Sequence, residues 1–208
     1  MTDATAPAGR RYGGKTAQER RAERRQQLLD AGLALFGTAG YASTTIEQLC
    51  AEAHLHPRYF YEQFESREAL LQAVYDRHVD AVLAQVSAAI ETVSADPRSR
   101  LQTGLTVFVE ATLADERAAR INYFEMVGVS PALEQRRRDV LRAYAQLIAS
   151  QASALRSQTT SKPVDLRLAA VALVGATDGL LIDWLSHDPR GDRAAIVTTL
   201  IETFATAI

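Results

Sequence analysis

Four side chains within one short run have the chemistry to read nucleic acid: Arg58, Tyr59, Tyr61 and Gln63 in PRYFYEQF, Pro57 to Phe64. An arginine can donate two parallel hydrogen bonds to guanine, and a glutamine amide can pair with adenine. Tyrosine hydroxyls can donate to phosphates while the rings pack on sugars or thymine methyl groups. Phe60 and Phe64 lie four apart and share the inner face of a helix. Pro57, Arg58, Tyr59, Tyr61, Glu62 and Gln63 then face outward. No catalytic chemistry competes with this reading. There is no G-x-S-x-G, no phosphate-binding glycine loop and no G-x-G-x-x-G. The histidines 54, 56, 78 and 187 stand at no recognisable metal spacing, so neither a metal nor a cofactor is expected. Asp178 and Asp183 lack the company that paired catalytic carboxylates need.

Something must hold that run against DNA, and the residues before it supply the support. Thr44 can cap a short helix, with Glu47 three residues on as its capping-box partner. Ile46, Leu49, Cys50 and Ala53 then make one apolar face. His54, Leu55 and His56 break the pattern, with Leu55 as an apolar plug. Pro57 opens the next helix, where its missing N–H costs nothing. Two short helices joined this way predict a helix-turn-helix whose second helix enters the major groove. Thr44 and Thr45, at the start of the first of these helices, suit a phosphate. A third apolar helix, about 17–38, carries Leu28, Leu29, Ala31, Gly32, Leu35 and Phe36, and Tyr41 packs behind it.

These pieces resemble the DNA-binding domain of the TetR (tetracycline-repressor) family of transcriptional regulators. The resemblance rests on LLDAGLALFGTAGYASTTIEQLCAEA, then the turn, then RYFYEQFESREALLQAVYD. It covers about a quarter of the chain, from Arg24 to Tyr75. One departure stands out: the family usually has glycine where His54 stands, and commonly serine at His56. The turn asks for a left-handed backbone at the first, which histidine enters more readily than most residues. The two histidines either fill and cap the turn or protonate near neutral pH beside DNA.

The chain has 208 residues, 47% of them hydrophobic, and a net charge of −2. A globally acidic balance excludes a basic nucleic-acid coat but not a helix-turn-helix, which needs local charge only. Arg10, Arg11, Lys15, Arg20, Arg21, Arg24 and Arg25 supply it. Residues 1–16 are expected to be a disordered basic arm. Arg10, Arg11 and Lys15 either reach an adjacent minor groove or remain a solvated tail. The single Cys50 excludes an internal disulfide and sits at a buried, small-residue position. No apolar run of membrane-spanning length and no secretory leader is evident. A cytoplasmic protein without a membrane partner is expected.

After the motif, Ser66 caps a long helix of near 27 residues, about 40 Å at 1.5 Å per residue. Arg67, at its start, is placed to reach DNA backbone. The helix links the DNA-binding domain, 17–79, to a body, 80–208. Asp96-Pro97, Glu116, Ser130-Pro131, about Pro163 and about Asp192 open five further helices, giving an all-α protein of about nine helices. Arg136-Arg137-Arg138 reads as a solvated face. The eighth helix is the most apolar, and Gly175 and Gly179 would let a partner helix come close.

The resemblance implies a homodimer through the eighth and ninth helices, a roughly palindromic double-stranded DNA operator, and a small-molecule effector enclosed by the middle helices. It also implies repression relieved by that effector. Candidate lining residues are Phe108, Thr112, Asn122, Tyr123, Phe124, Met126, Tyr144, Thr177, Asp178 and Trp184, aromatic with few polar groups. Asp178 is the strongest, because a buried carboxylate needs a partner, either a ligand group or an arginine. The alternative is a helical ligand-binding or scaffolding protein without specific DNA binding, permitted by the altered turn at His54.

Overall fold

A computed structural model of the chain describes residues 16–93, 96–156, 165–188 and 190–204. The arm residues Arg10, Arg11 and Lys15, and the polar connection before the eighth helix, lie outside them. The described residues are helical and contain no strand: α1 (Ala17–Phe36), α2 (Ile46–Glu52), α3 (Pro57–Tyr61), α4 (Arg67–Thr92), α5 (Pro97–Leu113), α6 (Glu116–Arg120), a π-helical turn (Ile121–Glu125), α7 (Pro131–Arg156), α8 (Leu166–Ser186) and α9 (Arg193–Phe204). The chain divides into two compact units, Met1–Val74 and Tyr75–Ile208. The division falls within α4, between Val74 and Tyr75, and not at Asp80. Asp76 already accepts from Arg136 Nε of α7 at 2.8 Å, so this part of α4 belongs to the second unit.

In the first unit, Thr16 and Glu19 form a reciprocal capping box that starts α1. The arginine-rich first turns of α1 are exposed, and its last turns bury Leu28, Leu29, Ala31 and Phe36. Leu28, Phe36, Leu49, Phe60, Leu70 and Leu71 have no exposed surface. They draw α1, α2, α3 and the start of α4 onto one core. At Gly32 a Cβ atom would lie 2.9 Å from Val74 Cγ2, so α1 and α4 approach as closely as they do only because that side chain is hydrogen. Ser66 caps α4 as expected, its hydroxyl accepting from Ala69 N–H at 3.0 Å.

The cap of α2 differs from expectation. Thr45, not Thr44, is the N-cap, and Gln48, not Glu47, completes the box. Thr44 is 1% exposed. Its hydroxyl donates to the Gly40 carbonyl at 2.7 Å, so it is an internal tie and not a cap. Both threonine–acid/amide spacings satisfy the capping pattern; burial of one hydroxyl decides between them.

In the second unit, Asp96 caps α5, accepting from Ser99 N–H at 2.9 Å. The helix expected from Glu116 to Val127 is broken: after α6 the backbone widens, with Met126 N–H donating to Ile121 C=O at 3.1 Å. Such an i→i+5 turn shifts the helical register by one residue, and π turns are frequent at functional sites. Leu105, Val109, Leu113, Tyr123, Leu173, Leu181, Trp184, Ile196 and Leu200 form the core of this unit. One face of α8 supplies Ala170, Leu173, Thr177, Leu181 and Trp184 to it.

Candidate nucleic-acid interface and effector site

The turn between α2 and α3 closes at His54, which takes φ 55°, the left-handed conformation the motif requires. His56 then caps α3: its Nδ1 accepts from Arg58 N–H at 3.2 Å. His56 therefore caps α3, while the exposed His54 occupies the left-handed position. Cys50 is buried.

On α3, Arg58 and Tyr61 are the solvent-facing groups, with 78% of the Arg58 side chain and 63% of Tyr61 exposed. Pro57 and Thr45 are exposed beside them. Tyr59 is half-buried, with the Arg24 guanidinium 4.4 Å above its ring. Gln63 lies in the turn that follows α3, half-buried, and its amide Nε2 is buried without a hydrogen-bond partner. Thr44 is excluded from phosphate contact by burial. Arg67 is also turned inward: it sits 4.3 Å above the Tyr41 ring and donates to the Thr44 carbonyl.

Arginines of α1, counted in the sequence only as local charge, hold α3 in place. Arg21 donates to Glu62 C=O and Arg25 to Gln63 C=O, both at 3.4 Å. Arg25 also stacks 4.4 Å over Phe64. The carbonyls freed at the end of a five-residue helix need donors, and α1 provides them.

In the second unit, a buried polar group forms where α4, the π-helical turn, α7 and α8 contribute side chains. Arg137 Nη1 lies 3.9 Å from Asp178 Oδ2, with both side chains largely covered. Burial raises the Asp178 carboxyl to about 6, and Arg137 opposes that shift. Burial also pushes the Tyr144 hydroxyl up to about 12, reinforced by Asp178. The Tyr123 hydroxyl rises well above its ordinary value from burial first, then from Asp178. Tyr75, on α4, is raised by burial and by Tyr144. Three buried polar atoms have no hydrogen-bond partner: Tyr123 Oη, Arg137 Nε and His78 Nε2. Burial lowers the His78 pKa while Asp115 opposes it, so at neutral pH the ring is uncharged. An orphaned buried donor costs about 1–3 kcal/mol, so Tyr123 Oη and Arg137 Nε would each gain from an acceptor.

Of the expected lining residues, the structure brings Tyr123, Tyr144 and Asp178 together, with Phe108 edge-on to Tyr144 at 5.4 Å. Asn122 is half-buried. Met126 and Thr112, at 0% and 1% exposure, are closed core. Thr177 is buried and donates to Leu173 C=O at 2.8 Å. Phe124 faces outward at 38% exposure. Trp184 donates to Gly191 C=O at 2.7 Å and lies under Arg190 and Arg193, so it ties the α8–α9 connection. Sequence reasoning missed Tyr75, His78 and Arg137. Arg136 and Arg137 are not a solvated face: they engage Asp76 and Asp178. A signal existed for the first two, since Tyr75 and His78 are three apart and share one side of α4.

A helix-turn-helix that exposes Arg58 and Tyr61, followed by a helical body with buried unpartnered polar atoms, is the architecture of a DNA-binding regulatory protein. Residues 28–74 match the family model described as bacterial regulatory proteins, tetR family. The chain is 26% identical over 197 residues to the HTH-type transcriptional activator FasR of Mycolicibacterium smegmatis, covering 93% of this chain and 85% of that one. It is 28% identical over 124 residues to the HTH-type transcriptional repressor DhaR of Mycobacterium sp. (strain GP1), covering 60% and 61%. Its fold is similar to that of the transcriptional regulator FadR from Bacillus subtilis, solved in complex with stearoyl-CoA, with TM-score 0.79, 17% identity and coverage of 88% and 98%. Residues 28–74 are thus similar to the DNA-binding domain of tetR-family regulators, and the chain is a DNA-binding transcriptional regulator.

Proposed function

We propose that the chain is a dimeric repressor, working in the cytoplasm, that leaves a palindromic operator when a small molecule occupies the second unit. Arg58 reads guanine, Tyr61 and Thr45 contact the backbone, and Arg10, Arg11 and Lys15 extend the contact. The observation that carries the effector half is the pair of buried, unpartnered atoms Tyr123 Oη and Arg137 Nε at the Arg137–Asp178 pair. Tyr123 Oη and Arg137 Nε are both donors. The guest they suit presents a hydrogen-bond acceptor oxygen on a largely apolar body. Because Asp178 already offsets Arg137, a carbonyl suits this place better than a second carboxylate. A fatty acyl thioester, of the kind bound by the B. subtilis FadR, meets that description. Tyr75 places α4 at this cluster, so a guest that binds one α4 position better than another would shift the DNA-binding unit.

Dimerisation through α8 and α9 is supported by the outer face of α8. Leu168, Val171 and Ile182 are 54%, 50% and 37% exposed. Gly175 and Gly179 lie on this face, with nothing within 4 Å of a Cβ built on either. By length and composition α8 could cross a membrane. Its inner face, however, carries core residues, and Asp178 and Asp183 interrupt it. A second copy covers this stripe in the proposed dimer.

The test is titration of the full chain, on DNA recovered by selection, with acyl-CoAs of increasing chain length. Release at micromolar concentration, weakened at least tenfold by Tyr123→Phe, supports the reading. Release unchanged by Tyr123→Phe and by Asp178→Asn would remove the cluster from the effector site.

A further inference from the structure

The carboxylate of Glu62 stands at the end of α3, between the two arginines nearest the proposed base-reading surface. Its Oε1 accepts from Arg58 Nε at 3.2 Å, and its Oε2 lies 3.8 Å from Arg24 Nη2. The α1 arginines hold the same residue by its backbone, through Arg21 to its carbonyl. Glu62 is therefore fixed in place, while the Arg58 side chain above it is exposed over 78% of its surface. An exposed arginine on a DNA-facing helix attaches to any phosphate, whatever the sequence. Among the base edges only guanine offers it two acceptors in one plane.

We propose that Glu62 is a specificity-determining residue, an internal counter-charge that occupies Arg58 until a guanine replaces it. The pair is exposed and weak enough to be exchanged. Against a single phosphate, the exchange returns one charged partner for another and exposes the Glu62 carboxylate to the negative backbone. Against guanine it returns two directed hydrogen bonds. Glu62 thus lowers the affinity for arbitrary DNA more than for the operator. The proposal rests on Arg58 reading guanine, and the experiment separates the two.

Full-length wild type, Glu62→Gln, Arg58→Gln and the double variant are titrated against two duplexes across a salt series. One is the tightest duplex that the wild type selects from random DNA; the other is its scrambled counterpart. Glu62→Gln should bind the scrambled duplex about three- to tenfold more tightly at 0.15 M salt. It should steepen the dependence of log affinity on log salt by about 0.9, one added phosphate contact, and lower the operator-to-scrambled ratio. In the Arg58→Gln background these changes should vanish. A steepening that persists there belongs to Arg24 and overturns the proposal. So does a selective loss of operator binding, which would make Glu62 itself a cytosine reader. An unchanged slope and ratio with a lowered melting temperature would reduce Glu62 to a structural tie. Glu62→Ala, which removes the charge without adding an amide, must give the same slope as Glu62→Gln. If Arg58→Gln keeps the full operator preference, the guanine reading itself fails. If Arg58→Gln loses it and Glu62→Gln changes nothing, only the present proposal fails.

Discussion

Asp178→Asn should stabilise the protein, and more at pH 7.5 than at pH 5. Burial raises the folded-state pKa of Asp178 from 3.8 to about 6. The folded state then holds the proton more tightly than the unfolded chain. Stability contributed by the neutral carboxyl is present at low pH and is lost as pH rises from 3.8 through about 6. The resulting penalty is about 1.5 kcal/mol at pH 5 and about 3 kcal/mol at pH 7.5. Asparagine has the same shape and carries no charge, so the variant escapes the penalty. It leaves Arg137 without its counter-charge, but that cost is the same at both pH values. The difference between the two proteins should therefore grow by about 1.5 kcal/mol from pH 5 to pH 7.5. Urea titrations followed by circular dichroism at the two pH values measure it. Parallel pH dependence of variant and wild type would show that Asp178 is ionised in the folded state at pH 5, and would refute the burial argument.

Other consequences follow from single contacts. Phe60→Ala should cost about 3–5 kcal/mol and abolish DNA binding, because the fully buried ring anchors α3; melting and anisotropy titrations check both. Gly32→Ala should lower the melting temperature despite the better helix propensity of alanine, because the added methyl meets Val74 Cγ2 at 2.9 Å. His54→Gly should raise stability by up to about 1 kcal/mol by removing the positive-φ strain, while His54→Val should lower it. Gly175→Leu with Gly179→Leu has room within the protomer. In sedimentation it should weaken self-association without lowering the helical content, and a dimer of unchanged affinity would exclude that face of α8 from the interface.

The helix-turn-helix was legible because its inward set is complete: Leu49, Cys50, Phe60 and Phe64 recur at helical spacing and are buried. The strained position was visible through the resemblance alone, because the family usually carries glycine where His54 stands. The errors arose where spacing is degenerate or the helix stops. Thr44 and Thr45 both precede an acid or amide by three residues, and only tertiary burial separates them. Gln63 looks outward if α3 continues, but α3 ends two residues earlier and the amide turns in. Arg67 and Arg137 read as surface charge because a sequence does not display the Tyr41 ring or the Asp178 carboxylate that meets each. The aromatic composition of the second unit announced an interior, yet did not divide core from site. Met126, Thr112 and Trp184 are buried, as Tyr123 is, so burial does not separate them, and the π turn that carries Tyr123 has no sequence signature here.

The most direct test of the central claim is binding of the full chain to DNA from upstream of its own gene, or to a duplex selected by the protein. Fluorescence anisotropy at near-physiological salt, with a scrambled duplex of equal length, reads the preference. About a thousandfold tighter binding to the chosen duplex is the predicted result, lost on Arg58→Gln. Equal affinity for chosen and scrambled DNA at every salt concentration, after selection has been tried, would contradict the account of this protein as a sequence-specific regulator.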